Sequence, residues 1–174
     1  MATRKRSTRT KRATPRKART APLVAILTGS PSDLEVVNKA KDVLESLAVP
    51  CELKVLSAHR TPERVQRYIE KAEGAGVEVF IACAGMAAHL AGVVAAHTLK
   101  PVIGVPLASG ALNGFDALLS TVQMPPGIPV ATVGVDGSKN AAYLAARILA
   151  ATRPELGTRI RADLDTQRKR YDEV

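Results

Sequence analysis

His59 and Arg60 stand side by side in the stretch Ser57-Ala58-His59-Arg60-Thr61-Pro62. Imidazole is the side chain best matched to moving protons near neutral pH. Guanidinium is the one best matched to holding a phosphate. The run Cys51 to Leu56 before them reads as a strand, and Pro62 to Ile69 after them reads as a helix. Thr61 is a good N-cap, and Pro62 suits the first helical position, where no amide hydrogen is needed. The pair therefore belongs to a strand-to-helix turn, where open α/β sheets put their ligand groups. A capped helix behind a polar surface turn would account for the same residues without any chemistry, so the neighbouring turns decide.

Two further turns carry suitable residues. Gly29-Ser30-Pro31-Ser32-Asp33 joins an apolar strand to a helix. Ser30 as cap, Pro31 in the first helical position and Asp33 completing a capping box explain it structurally. The same geometry offers free amide hydrogens and a positive dipole end to a phosphate. Ser30 and Ser32 add hydroxyl donors there, and Asp33 could accept from ribose hydroxyls. Ala84-Gly85-Met86-Ala87-Ala88-His89-Leu90 supplies small residues, which leave room for a planar ring, and a second imidazole. A close-packed helix start with His89 satisfied in the core is the alternative.

The elements that must hold these turns follow from periodicity. Leu23 to Leu27 is a continuous apolar run, as a strand buried on both faces requires. Leu34, Val37, Ala40, Leu44 and Leu47 then repeat at helical spacing. Further strands are predicted at Val77–Cys83, Val102–Val105 and Val130–Val133. Helices are predicted at Met86–His97, Phe115–Val122, Asn140–Ala151 and from Pro154 onward. Strands alternating with helices imply right-handed parallel crossovers and a three-layer αβα sandwich. The expected fold is α/β and flavodoxin-like, with strand order 2-1-3-4-5 and an extra C-terminal helix. In that order the switch point lies between strands one and three, so all three turns meet at one edge.

The chain has 174 residues, 46% hydrophobic and only 3% aromatic, which suggests one domain with an aliphatic core. Nine of its 25 basic residues fall within residues 1–20, which contain no acid. The remainder balances sixteen basic against sixteen acidic residues, so the net charge of +9 belongs to a tail. The expected organisation is a disordered basic tail over 1–21, a catalytic αβα domain over 22–152 and a helical extension over 153–174. The tail has no aromatic residues for base stacking, which argues against specific nucleic-acid binding. No apolar run reaches membrane-spanning length, and no secretory signal pattern is present. Cys51 and Cys83 read as reduced thiols of a cytoplasmic protein.

No His-x-x-x-His or Cys-x-x-Cys spacing occurs, so no metal is expected. No Gly-x-Gly-x-x-Gly or Walker lysine occurs, which argues against a dinucleotide or ATP. What is left is acid–base chemistry on a phosphorylated small molecule, without a cofactor.

Five stretches, in order, resemble the motifs of one family. They are Gly29–Asp33, Ser57–Pro62, Ala84–Leu90, Leu119–Pro125 and Gly127–Thr132. The family is PurE of purine biosynthesis, in its class I form, the 5-(carboxyamino)imidazole ribonucleotide mutases. The resemblance spans about Leu23 to Leu149. It implies movement of a carboxylate from the exocyclic nitrogen of the substrate to ring carbon C4 through transient carbon dioxide. It implies His59 as general acid/base and Ser30, Asp33 and Arg60 as substrate-binding residues. Ser32, Ser57 and the segment Gly85 to Leu90, with Ala88 and His89, would form the pocket walls. It also implies a homo-octamer, with contacts near Gln123-Met124-Pro125 and the last helix. The chain departs from the class I pattern at Met86 and Ala91. Class II carboxylases, which use aminoimidazole ribonucleotide and free carbon dioxide, differ in the same turn. A non-catalytic nucleotide- or flavin-binding module is the third reading.

Overall fold

The computed structural model describes residues 21–172, so the basic stretch 1–20 and the last two residues lie outside the described residues. Five strands are present: β1 (Val24–Thr28), β2 (Cys51–Val55), β3 (Val79–Gly85), β4 (Val102–Leu107) and β5 (Ala131–Thr132). They alternate with α1 (Leu34–Ser46), α2 (Pro62–Gly74), α3 (Leu90–Ala96), α4 (Phe115–Val122) and α5 (Ser138–Ala150), and α6 (Pro154–Asp172) ends the chain. All pairings are parallel, in the order β2-β1-β3-β4-β5. This is the flavodoxin-like arrangement.

Period-2 alternation sends each central strand into two cores. Val24 and Ile26 of β1, with Val79, Ile81 and Cys83 of β3, pack against Val37, Ala40 and Leu44 of α1 and the alanine-rich face of α5. Ala25, Leu27, Phe80 and Ala82 face the other way, against Val65 and Ile69 of α2 and Leu90 and Val94 of α3. Each such large aliphatic side chain contributes about 1.5–3 kcal/mol by leaving water. The alanines of α5 let it lie close to the sheet. Leu156 and Ile160 of α6 join the first core, and Tyr143 of α5 hydrogen-bonds Asp163 of α6.

Gly104 in β4 shows how tightly the second layer sits. A Cβ there would overlap the Thr121 methyl of α4 and come within 2.9 Å of Val130.

The structure shortens two expected elements. The third helix begins at Leu90 and not at Met86, because Met86 takes a left-handed conformation, φ +55°, that no α-helix contains. The fifth strand keeps only Ala131 and Thr132 in the ladder. The segment lies at the sheet edge, and just past the ladder the Val133 amide still donates to the Gly104 carbonyl at 3.1 Å.

Two expected caps also take another form. Thr61 makes no side-chain bond to its helix. Its hydroxyl instead donates to the Ser57 carbonyl at 3.1 Å and accepts from the Ser57 amide at 3.2 Å, closing the turn on itself. Asp33 completes no capping box, since its carboxylate is taken by the Thr28 hydroxyl at 3.1 Å. Pro31–Asp33 is a single 3-10 turn, capped by the Ser30 Oγ accepting from the Ser32 amide.

Candidate functional site

The register puts four strand ends at one edge. Thr28 is level with Val55 of β2 and Cys83 of β3, and Gly85 is level with Leu107 of β4. The turns that follow these strands enclose a cavity of about 300 Å³. That is the lower end of the range for small-ligand sites. Two larger hollows, about 860 and 1150 Å³, lie toward the opposite strand ends, near Cys51 and Val102. Neither brings imidazole and guanidinium together, so the smaller cavity is the candidate site.

The first turn contributes Ser30, Ser32 and Asp33 to the wall. The Ser32 hydroxyl lies 2.7 Å from Ser30 Oγ and 3.0 Å from Asp33 Oδ1. With one hydrogen it donates to one of them at a time, which leaves lone pairs and a movable proton for a ligand. The second turn contributes Ser57, His59 and Arg60. Arg60 ties the two turns together: its Nη2 donates to the Gly29 carbonyl at 2.7 Å, and its Nε to Ser57 Oγ at 3.3 Å. Its other N–H groups have no protein partner among the described residues, and no carboxylate neutralises it there. A guanidinium fixed on one side and open on the other is a ready anion site.

The third turn contributes Gly85, His89 and Leu90. His89 is exposed and not a core residue. It faces His59, with His59 Nε2 2.8 Å from His89 Nδ1 and the rings nearly perpendicular at 85°. At that distance one ring nitrogen donates a hydrogen bond to the other, the direction being set by the tautomers. Two imidazoles from turns thirty residues apart are thus hydrogen-bonded across the cavity.

Ala88 is the one predicted residue that does not line the cavity; its side chain is buried at 1% exposure. Ser109, after β4, lines the cavity and was not among the predicted residues. A serine two residues beyond β4, the strand beside β3, was the available signal. Cys83 lies below the pocket, and burial, then the Asp33 charge, raises its pKa. Burial likewise pushes the Cys51 thiol up to about 11. For both thiols burial disfavours the thiolate, the form a nucleophile needs. Among the described residues, no three His, Cys, Asp or Glu side chains gather as a metal-ligating group.

The chain is similar to known proteins over most of its length. The AIR carboxylase family matches residues 23–170. The N5-carboxyaminoimidazole ribonucleotide mutase of Pyrococcus abyssi is 60% identical over 140 residues, covering 80% of each chain. The Pyrococcus horikoshii protein of the same name is 54% identical over 152 residues, covering 87% of this chain and 86% of that one. The crystal structure of Treponema denticola PurE superposes with a TM-score of 0.80 at 31% identity, covering 87% of this chain and 95% of that one. A parallel sheet with this strand order, the imidazole pair at its switch point and a family match over nearly the whole chain lead to one assignment: the chain belongs to the AIR carboxylase family.

Proposed function

We propose that this chain is an N5-carboxyaminoimidazole ribonucleotide mutase. The observation that carries the reading is the His59–His89 pair set beside Arg60 and the serines of the first turn. The chain's 54–60% identity to proteins bearing that name supports the substrate.

Arg60, Ser30 and Ser32 hold the phosphate, and Asp33 accepts from the ribose hydroxyls. His59 gives a proton to the exocyclic nitrogen. The N–C bond breaks with its electron pair on nitrogen, and carbon dioxide leaves. Ring carbon C4, made electron-rich by the free amine, then attacks carbon dioxide. His59 takes the C4 proton as the new C–C bond is completed. One proton is given and one regained, so the steps balance without an oxidant or cofactor. His89 shares the proton while the imidazole waits between the two halves.

The test is turnover of the carbamate substrate at low bicarbonate. Conversion to the C4 carboxylate supports the mutase. Product formed only from aminoimidazole ribonucleotide and added carbon dioxide would make this a direct carboxylase. Binding with neither reaction would make it a nucleotide-binding module.

The same reading includes a homo-octamer in the cytoplasm. His59 and Arg60 are exposed in the single chain, whereas captured carbon dioxide needs a closed site. On α4, Phe115, Leu119 and Val122 are 61%, 39% and 50% exposed at helical spacing, an apolar stripe suited to a second copy. The double variant Phe115→Glu, Leu119→Glu is expected to lower the mass measured by light scattering and to reduce activity with it. An unchanged mass would remove α4 from the interface. Among the described residues, no helix is long and apolar enough to cross a membrane.

A further inference from the structure

We propose that Ser109 is a substrate-contacting residue, its hydroxyl donating to the migrating carboxylate; this rests on the mutase reading above. Ser109 lies in the segment between β4 and α4 and lines the same cavity as His59 and His89. Its side chain sits directly on the backbone of Gly85. A Cβ at Gly85 would overlap Ser109 Oγ and come within 3.1 Å of Ser109 Cβ. Glycine at position 85 is therefore what admits this hydroxyl to the wall. Gly85 opens the turn that delivers His89, so the hydroxyl and the imidazole pair share one turn.

The position of Ser109 is built, because its loop is held at the root. The Ala108 amide donates to Asp136 Oδ1 at 3.0 Å, and the Asp136 amide donates to the Pro106 carbonyl at 2.9 Å. Asp136 takes φ +56° to do so, a conformation that Asp tolerates better than most side chains. At the far end of the loop Gly114, φ +86°, lies so close to Ala108 that a Cβ would come within 3.1 Å of its Cα. Both ends are pinned to one another and to the β5–α5 turn. Ser109 Oγ has no hydrogen-bond partner among the described residues, although the residue is half-buried.

The chemistry explains why a hydroxyl suits this wall. The migrating group is a carboxylate at both ends of the reaction and a neutral, linear molecule between them. A cation would favour the charged ends, deepening the ground states. A neutral donor orients the group in all three forms. Arg60 is committed to the other side of the cavity through Gly29 and Ser57.

The experiment compares wild type, Ser109→Ala, Asp136→Ala and Asp136→Asn. It measures kcat, KM and the fraction of turnovers that release aminoimidazole ribonucleotide and carbon dioxide in place of product. Ser109→Ala is expected to lower kcat about 10-fold, with a KM change of about 2-fold, and to raise the released fraction; losing one hydrogen bond to a charged group has this size. Asp136 acts as a positioning residue. Asp136→Ala is expected to raise the released fraction as well, and Asp136→Asn, which keeps the acceptor for Ala108, to restore it. Thermal unfolding midpoints confirm that each variant is folded. An active wild type with Ser109→Ala unchanged in kcat and in the released fraction would overturn the role of Ser109 and leave the mutase standing. A wild type that does not convert the carbamate substrate would overturn both.

Discussion

His59→Asn is expected to lower kcat on the carbamate substrate by about 10²- to 10⁴-fold, the range that a positioned proton carrier contributes. Asn retains a polar amide that can still bond His89, so the change removes proton transfer while disturbing packing little. His59 is exposed and makes no core contact, and the fold should therefore survive. Steady-state kinetics beside a thermal unfolding curve check both points. Bound-ligand affinity should fall far less than kcat, since Arg60 and the serines remain. A variant with full turnover would show that the proton moves through another group. His89 is then the only other imidazole at the cavity among the described residues.

Arg60→Ala is expected to act on binding, raising KM about 10- to 100-fold, as loss of a charge-assisted contact to an anion does. Some loss of kcat should accompany it. Arg60 also bridges the Gly29 carbonyl and Ser57 Oγ, so its removal frees two turns from each other. Arg60→Lys separates the two roles. Lysine restores the charge but not the planar fork, so KM should recover only in part. Kinetics on all three proteins, with inorganic phosphate as a competing ligand, provide the measurement. A KM unchanged in Arg60→Ala would place the phosphate elsewhere.

The strand order was legible because its cause is local. Runs such as Val24 to Leu27 are apolar on both faces only in a strand covered on both sides, and helices between them force parallel crossovers. Helix starts were legible where proline marks them, as at Pro62 and Pro154. They failed where backbone conformation decides. Nothing in the run Gly85 to Leu90 announces that Met86 turns left-handed and delays the helix to Leu90. The caps of Thr61 and Asp33 failed for a related reason: each side chain found a partner nearer than its own helix, in Ser57 and in Thr28.

By itself the sequence determined the αβα architecture and the sheet edge at which the three turns meet, with the imidazole and guanidinium that line the cavity there. Periodicity, turn residues and side-chain type are properties of short stretches, so they can be read in order along the chain. Only the tertiary structure decided that the His59 and His89 rings meet within hydrogen-bond distance, that Ala88 is buried away from the cavity, and that Ser109 reaches the wall over Gly85. Each of these depends on a distance between turns that different strands deliver. Such distances are set by sheet register and loop anchoring, which no single stretch encodes.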